Sequence, residues 1–211
     1  MKKIIALVLA LVMVAACLTA CGGAKGATLK NVQKAGKLLI ATSPDFPPFE
    51  SLEGGEVVGI EIDIMKLICE KLDVDLEIVQ MDFDSVLIGI QAAKYDCAMS
   101  GITVTPAREK NMLFTAPYYN AAQVIVVAEG SPITGKVDAW VVDNLTAMQM
   151  VEEGDGLVIL DEKMTEEPYA FAFAMGSEDL VAAINDALAA LIADGTVEAI
   201  FDSYGEAYMK P

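Results

Sequence analysis

Apolar positions change their spacing several times along the chain, and each change marks an element. Lys37 to Thr42 is a short apolar run that reads as a first strand. The segment Phe46-Pro-Pro-Phe49 cannot extend it, because consecutive prolines remove backbone donors and fix φ. After the Gly54-Gly55 turn, residues 57–60 read as a short strand. From Asp63, Ile64, Leu67, Ile68 and Leu72 recur every three or four residues, which predicts a helix with one apolar stripe against a sheet. Residues 76–81 alternate as the next strand, 83–93 form a second amphipathic helix and 97–100 a third strand. Strands alternating with helices at this spacing predict an α/β unit on a parallel sheet with right-handed crossovers.

The second half is less regular. Residues 123–128 are strongly β-forming, 137–142 are an apolar strand ending at Asp143, and 144–152 form a helix that Asp143 is placed to cap. Residues 157–160 and 168–175 read as two further strands. Ser177, with Glu178 and Asp179 in the first turn, opens a helix whose Leu180, Ile184, Ala187, Leu188 and Leu191 share one face. That helix stops at Asp194-Gly195, and residues 196–204 make a last short helix.

The amino terminus is built differently. Met1-Lys-Lys, an apolar stretch over residues 4–17 and then Leu18-Thr-Ala-Cys21 have the form of a bacterial secretion signal, and the apolar stretch is shorter than a spanning helix needs. Leu-Thr-Ala-Cys resembles a lipobox, in which cleavage precedes Cys21 and that cysteine is acylated. A plain cleaved signal with an incidental cysteine is the alternative. The small residues 22–27 suit a tether.

Charge narrows the partners. With 31 acidic residues against 14 basic ones and no histidine, the net charge of −17 repels nucleic acid and anionic lipid head groups, so a membrane anchor would be the lipid and not a basic patch. Cys69 and Cys97 have no metal-ligand spacing. Each reads as a small buried hydrophobe, with a disulfide between them as the alternative. No metal, cofactor or nucleophile–base pair is indicated.

One stretch concentrates candidate chemistry: Cys97-Ala-Met-Ser-Gly-Ile-Thr-Val-Thr-Pro-Ala-Arg108, containing the single arginine. Thr105-Pro106 reads as an N-cap followed by proline at the first helical position, so a short helical turn should open there. Backbone N–H groups near Ser100, Gly101 and Thr103, the hydroxyls of Ser100 and Thr103, and the Arg108 guanidinium could together hold a small carboxylate. Gly101 would let the backbone approach the ligand closely. The plain alternative is a solvated arginine answered by nearby acids. Phe46 and Phe49 follow the carboxyl end of a strand, where open α/β sheets bind ligands, so they are candidates for an apolar wall, with one of the two expected to serve only the core.

Ser-Gly-Ile-Thr-Val-Thr-Pro-Ala-Arg (100–108) with Phe-Thr-Ala-Pro-Tyr-Tyr (114–119) resembles the signature of the extracellular solute-binding proteins of polar amino acid ABC importers (family 3 type). Ser43-Pro-Asp-Phe-Pro-Pro-Phe-Glu50 and Gly135-Lys-Val-Asp-Ala-Trp-Val-Val-Asp143 match that family in the same order. The resemblance implies an α/β, periplasmic-binding-protein-like two-lobe fold. Its first lobe, 36–122 and 176–211, would be complete and mostly parallel. Hinge strands and a truncated second lobe would occupy 123–175, with residues 123–128 as the first crossing strand. A lipoprotein signal peptide (1–20) and a tether (21–35) would precede both lobes. It implies a membrane-anchored receptor, outside the cytoplasm, that binds an amino acid and serves the permease subunits of an ABC importer without catalysis. Arg108, supported by Ser100, Gly101 and Thr103, would hold the ligand α-carboxylate; Asp143 would meet the α-ammonium; Phe46 and Phe83 would enclose the side chain. Phe83 could equally be a core residue at a helix start, and Asp143 could be only a cap.

The resemblance breaks between Thr134 and Gly135. There the family carries a strand–helix–strand portion of the second lobe, including a helix start that donates to the ligand carboxylate. Two alternatives to the receptor stand, the first of them from that loss. One is a binding-impaired remnant, or a module working through protein contacts. The other is an enzyme, because the fold also resembles periplasmic cyclohexadienyl-type dehydratases, for which Glu50 or Asp45 would supply a carboxylic acid of raised pKa.

Overall fold

The computed structural model describes residues 25–131, 139–154 and 156–204. The signal stretch, Cys21 and the Thr134–Gly135 junction lie outside the described residues. Helix α1 (Leu29–Ala35) is capped by Thr28, whose hydroxyl accepts the N–H of Asn31. Strand β1 (Lys37–Thr42) then runs into a small antiparallel sheet of β2 (Asp45–Phe46), β3 (Glu50–Glu53) and β4 (Glu56–Val58). Helix α2 (Ile60–Leu72) starts three residues earlier than its apolar stripe suggests. Gly59 allows this: at φ 137° it turns the chain so that the N–H groups of Ile60 and Glu61 reach the carbonyls of Pro48 and Phe49. A Cβ there would lie 2.2 Å from the Phe49 carbonyl oxygen, so no larger residue fits.

Strand β5 (Asp75–Gln80), helix α3 (Phe83–Gln91) and strand β6 (Cys97–Ala98) complete the alternating part. They are followed by β7 (Met112–Phe114), β8 (Tyr119–Ala121), β9 (Gln123–Ala128), β10 (Trp140–Asp143), helix α4 (Asn144–Glu153), β11 (Leu157–Ile159), β12 (Glu167–Tyr169) and β13 (Ala172–Ala174). Helices α5 (Glu178–Ala193) and α6 (Thr196–Ser203) close the described chain.

The main sheet has the order β5-β1-β6-β13-β7. β1 pairs parallel with β5 and β6, whereas β13 pairs antiparallel with β6 and β7, so the sheet is mixed and β13 is the strand that runs against the rest. Helices cover both faces. Ile64, Ile68, Leu188, Leu191 and Phe201 of α2, α5 and α6 pack with Leu38, Ile40 and Phe173, while Val86 and Ile90 of α3 pack on Ala41, Ala98 and Ala172 from the other side. Cys69 and Cys97 are both buried and both free.

A second, antiparallel sheet has the order β10-β9-β11 and is backed by α4, with Val124, Val126 and Ala147 as its small core. The paired strands β8 and β12 run between the two sheets. Two expectations are corrected. Residues 123–128 are the central strand of the smaller sheet and not a crossing strand; the crossing is made by the three-residue strand β8, too short to show a periodicity. The chain also rejoins the main sheet at Ala172, before the expected 176.

The tether is corrected as well. From Gly26 onward the chain is docked: the Gly26 N–H donates to the Met175 carbonyl at 3.1 Å, and the Leu29 N–H donates to the Asp179 carboxylate. Val32 of α1 is 2% exposed in the main core, so residues 26–35 belong to the folded body.

Candidate functional site

The carboxyl ends of β1 and β6 point at one cleft of about 330 Å³, lined by Asp45, Phe46, Phe83, Ser100, Gly101 and Tyr169. Its place outside the carboxyl ends of parallel strands is where open α/β sheets bind ligands. Phe46 stacks on buried Phe49 at 5.3 Å between ring centres and meets Tyr169 edge-on at 6.4 Å. Phe83, first residue of α3, is held at the mouth because Asp82 caps that helix through the Ser85 N–H. Phe46 and Phe83 therefore face the same space, whereas Phe49, the third candidate for a wall, lies in the core behind Phe46.

Gly101 has φ 53°, and a Cβ on it would sit 2.8 Å from the Phe46 ring, so the close approach inferred from the sequence is made, but to an aromatic wall. Its N–H does not point into the cleft. It donates to Glu61 at 3.3 Å. Likewise the Ser100 hydroxyl, 4% exposed, is engaged by Glu50 at 3.1 Å and by the Ser43 backbone. The Thr103 hydroxyl donates to Glu167 at 3.0 Å. The three expected carboxylate donors thus satisfy internal acids here, which is a correction to the donor set read from the sequence.

Arg108 sits just beyond the cleft wall. The turn that carries it forms as expected, with the Arg108 N–H on the Thr105 hydroxyl and the Glu109 N–H on the Thr105 carbonyl, but no regular helix follows. Its guanidinium lies 5.6 Å from the centre of the Phe83 ring and donates to the Thr103 carbonyl at 2.8 Å. It forms no ion pair among the described residues, where the pairs present are Lys37–Glu77 and Lys66–Asp63. Half-burial lowers its pKa, an effect partly offset by the charge of Glu167. A groove beside it is lined by Thr103, Arg108, Thr165, Glu166 and Glu167.

Asp143 is brought near this region but not into the cleft. Its carboxylate, 1% exposed, accepts the Leu145 N–H at 2.9 Å and the Tyr169 hydroxyl at 3.0 Å. Burial raises its pKa to about 6, against the lowering effect of those hydrogen bonds. The capping role is realised, and the Tyr169 ring stands between the cleft and this acid. Tyr169 itself was read from the sequence only as part of a strand, as were the buried partners behind Ser100 and Gly101. An acid inside the apolar run Gly59-Ile-Glu-Ile-Asp63 was the one available signal for Glu61.

The chain is 35% identical over 132 residues to the arginine-binding extracellular protein ArtP of Bacillus subtilis (strain 168), an alignment that takes in 61% of this chain and 51% of ArtP. It is 25% identical over 220 residues to the ABC transporter arginine-binding protein 1 of Escherichia coli (strain K12), with 80% of this chain and 90% of that protein covered. Among solved structures, the P235GK mutant of ArgBP from T. maritima superposes with a TM-score of 0.76 at 28% identity, over 83% of this chain and 98% of the other. The α/β, periplasmic-binding-protein-like fold follows from that likeness. Since residues 38–207 match their family, the chain belongs to the bacterial extracellular solute-binding proteins, family 3.

Proposed function

We propose that the protein is a receptor, anchored outside the cytoplasm by a lipid on Cys21, that binds an amino acid and hands it to the permease subunits of an ABC importer. The observation that carries this reading is a guanidinium without a carboxylate partner among the described residues, set over the Phe83 wall of an aromatic cleft. Arg108 would hold the α-carboxylate in a charge-assisted fork, and Phe46, Phe83 and Tyr169 would enclose the side chain. A cationic amino acid fits best: Asp45 lines the cleft, Glu167 lies beside Arg108, and the two relatives named above are called arginine-binding. Ser100, Gly101 and Thr103 support the site by shaping it. Asp143 would meet the α-ammonium only after the Tyr169 hydroxyl releases it.

The 220-residue alignment takes up only 80% of a 211-residue chain, so it runs over gaps on this side, and a shortened second lobe would account for them. A binding-impaired remnant is therefore the second reading, favoured by the inward direction of the Ser100 and Gly101 donors. The dehydratase reading gains nothing from Glu50, which is fully buried behind Ser100 and out of reach of a substrate in the cleft.

Thermal unfolding with each amino acid separates these. A ligand at a hundredfold excess over its dissociation constant should stabilise the protein by about 2.7 kcal/mol. Arg108→Ala should remove that shift, because losing one partner of a charge-paired contact costs several kcal/mol. No shift with any amino acid favours the remnant, and turnover of prephenate or arogenate favours the enzyme.

A further inference from the structure

Behind the cleft floor lie two acids that no ligand contact explains. Glu50 of β3 and Glu61 of α2 are both 0% exposed. Glu50 Oε1 accepts the Ser100 hydroxyl at 3.1 Å, while Glu61 Oε1 accepts the Gly101 N–H at 3.3 Å and the Tyr118 hydroxyl. That leaves one oxygen on each carboxyl, Oε2 of Glu50 and Oε2 of Glu61, buried with no other partner. Two such oxygens cannot both be charged and unsatisfied in an apolar interior. A single proton between them resolves both at once.

We propose that Glu50 and Glu61 are positioning residues of the cleft, their carboxyl groups sharing one proton, and that this pair holds the Ser100–Gly101 turn in the shape that forms the cleft floor. The inference rests on the amino-acid-binding reading of the cleft. Glu50 carries the proton and donates it to the Glu61 carboxylate. Glu61 then accepts three donors, from Glu50, Tyr118 and Gly101, and Glu50 still accepts from Ser100, so every polar atom of the network is satisfied. Burial favours the neutral form of both acids, and the Glu61 charge favours it further at Glu50. The other titratable groups acting on the pair are Asp45, Tyr118, Tyr169 and Cys97, and none of them is a cation. No neighbouring positive charge among these takes the place of the shared proton.

Removing the proton sets two negative charges against each other under the floor. The Gly101 φ of 53° and the seating of the Phe46 ring beside it depend on that floor, so binding should weaken as pH rises. In Glu50→Gln the amide NH₂ takes the place of the shared proton and the amide oxygen still accepts from Ser100, whereas Glu50→Ala takes away both the donor to Glu61 Oε2 and the carboxyl acceptor of the Ser100 hydroxyl.

Two measurements test this. The first is L-arginine affinity by calorimetry between about pH 6 and pH 9 for wild type, Glu50→Ala and Glu50→Gln. Glu50→Ala should weaken binding about tenfold or more, Glu50→Gln should restore most of it, and the wild-type loss at high pH should flatten in Glu50→Gln. The second needs no ligand: carbon NMR of the glutamate carboxyls should show one buried carboxyl still protonated at pH 7. If Glu50→Gln and Glu50→Ala bind alike, or if both carboxyls titrate in the ordinary range, the shared proton is overturned. Should wild type bind no amino acid at all, the functional reading fails instead, and the NMR result still decides the pair.

Discussion

Asp143→Asn should make the ligand-free protein more stable at neutral pH. The wild-type carboxylate is buried, and burial lifts its pKa from 3.8 to about 6. A shift of about two pH units corresponds to about 3 kcal/mol. Because the folded-state pKa is the higher one, the acid favours the fold fully only below about pH 4, and this contribution is lost as pH rises through 6. An asparagine cannot ionise. Its oxygen accepts the Leu145 N–H, and its amide donates to the Tyr169 hydroxyl, so both contacts survive in altered polarity. Urea unfolding of wild type and variant should therefore give a difference of about 3 kcal/mol in favour of the variant near pH 7 and almost none near pH 4. A variant less stable than wild type at pH 7, or a difference independent of pH, would refute the desolvation account of this acid. Arginine affinity, measured on the same two proteins, then tells whether a ligand ammonium ever reaches it.

Gly101→Ala should destabilise the fold by about 1–3 kcal/mol through its left-handed backbone and the Phe46 contact, and should weaken arginine binding by displacing that ring; urea unfolding and calorimetry check both. Cys69 and Cys97 should resist thiol reagents at pH 8 in the native state, since burial raises the Cys97 thiol and pushes Cys69 up to about 11. Both should be alkylated in urea without reductant, by peptide mapping, whereas a disulfide would leave them unmodified.

Local signals in the sequence proved accurate where one segment decides the outcome. The strand and helix alternation from Lys37 to Cys97, the cap at Asp143 and the helix stop at Asp194-Gly195 all depend on neighbours a few residues away. Helix α1 had such a signal in Thr28 and was obscured by the small residues before it. The donor directions at Ser100 and Gly101 could not be read in this way. They are set by Glu50 and Glu61, 50 and 40 residues distant along the chain, and only folding shows which side of the turn those acids occupy. The same holds for Gln123–Ala128, whose β-branched residues suit a crossing strand and a sheet centre equally, so that pairing with β10 and β11 decides.

The docked amino-terminal segment has a consequence for transport. If Cys21 carries the lipid, only the stretch up to Gly26 is left as a leash, at most about 18 Å when extended. A body held that near the bilayer searches for its permease by sliding in two dimensions instead of swinging through the space above. Its encounter rate would then be governed by lateral diffusion and by a high local concentration, and lengthening the leash would dilute it.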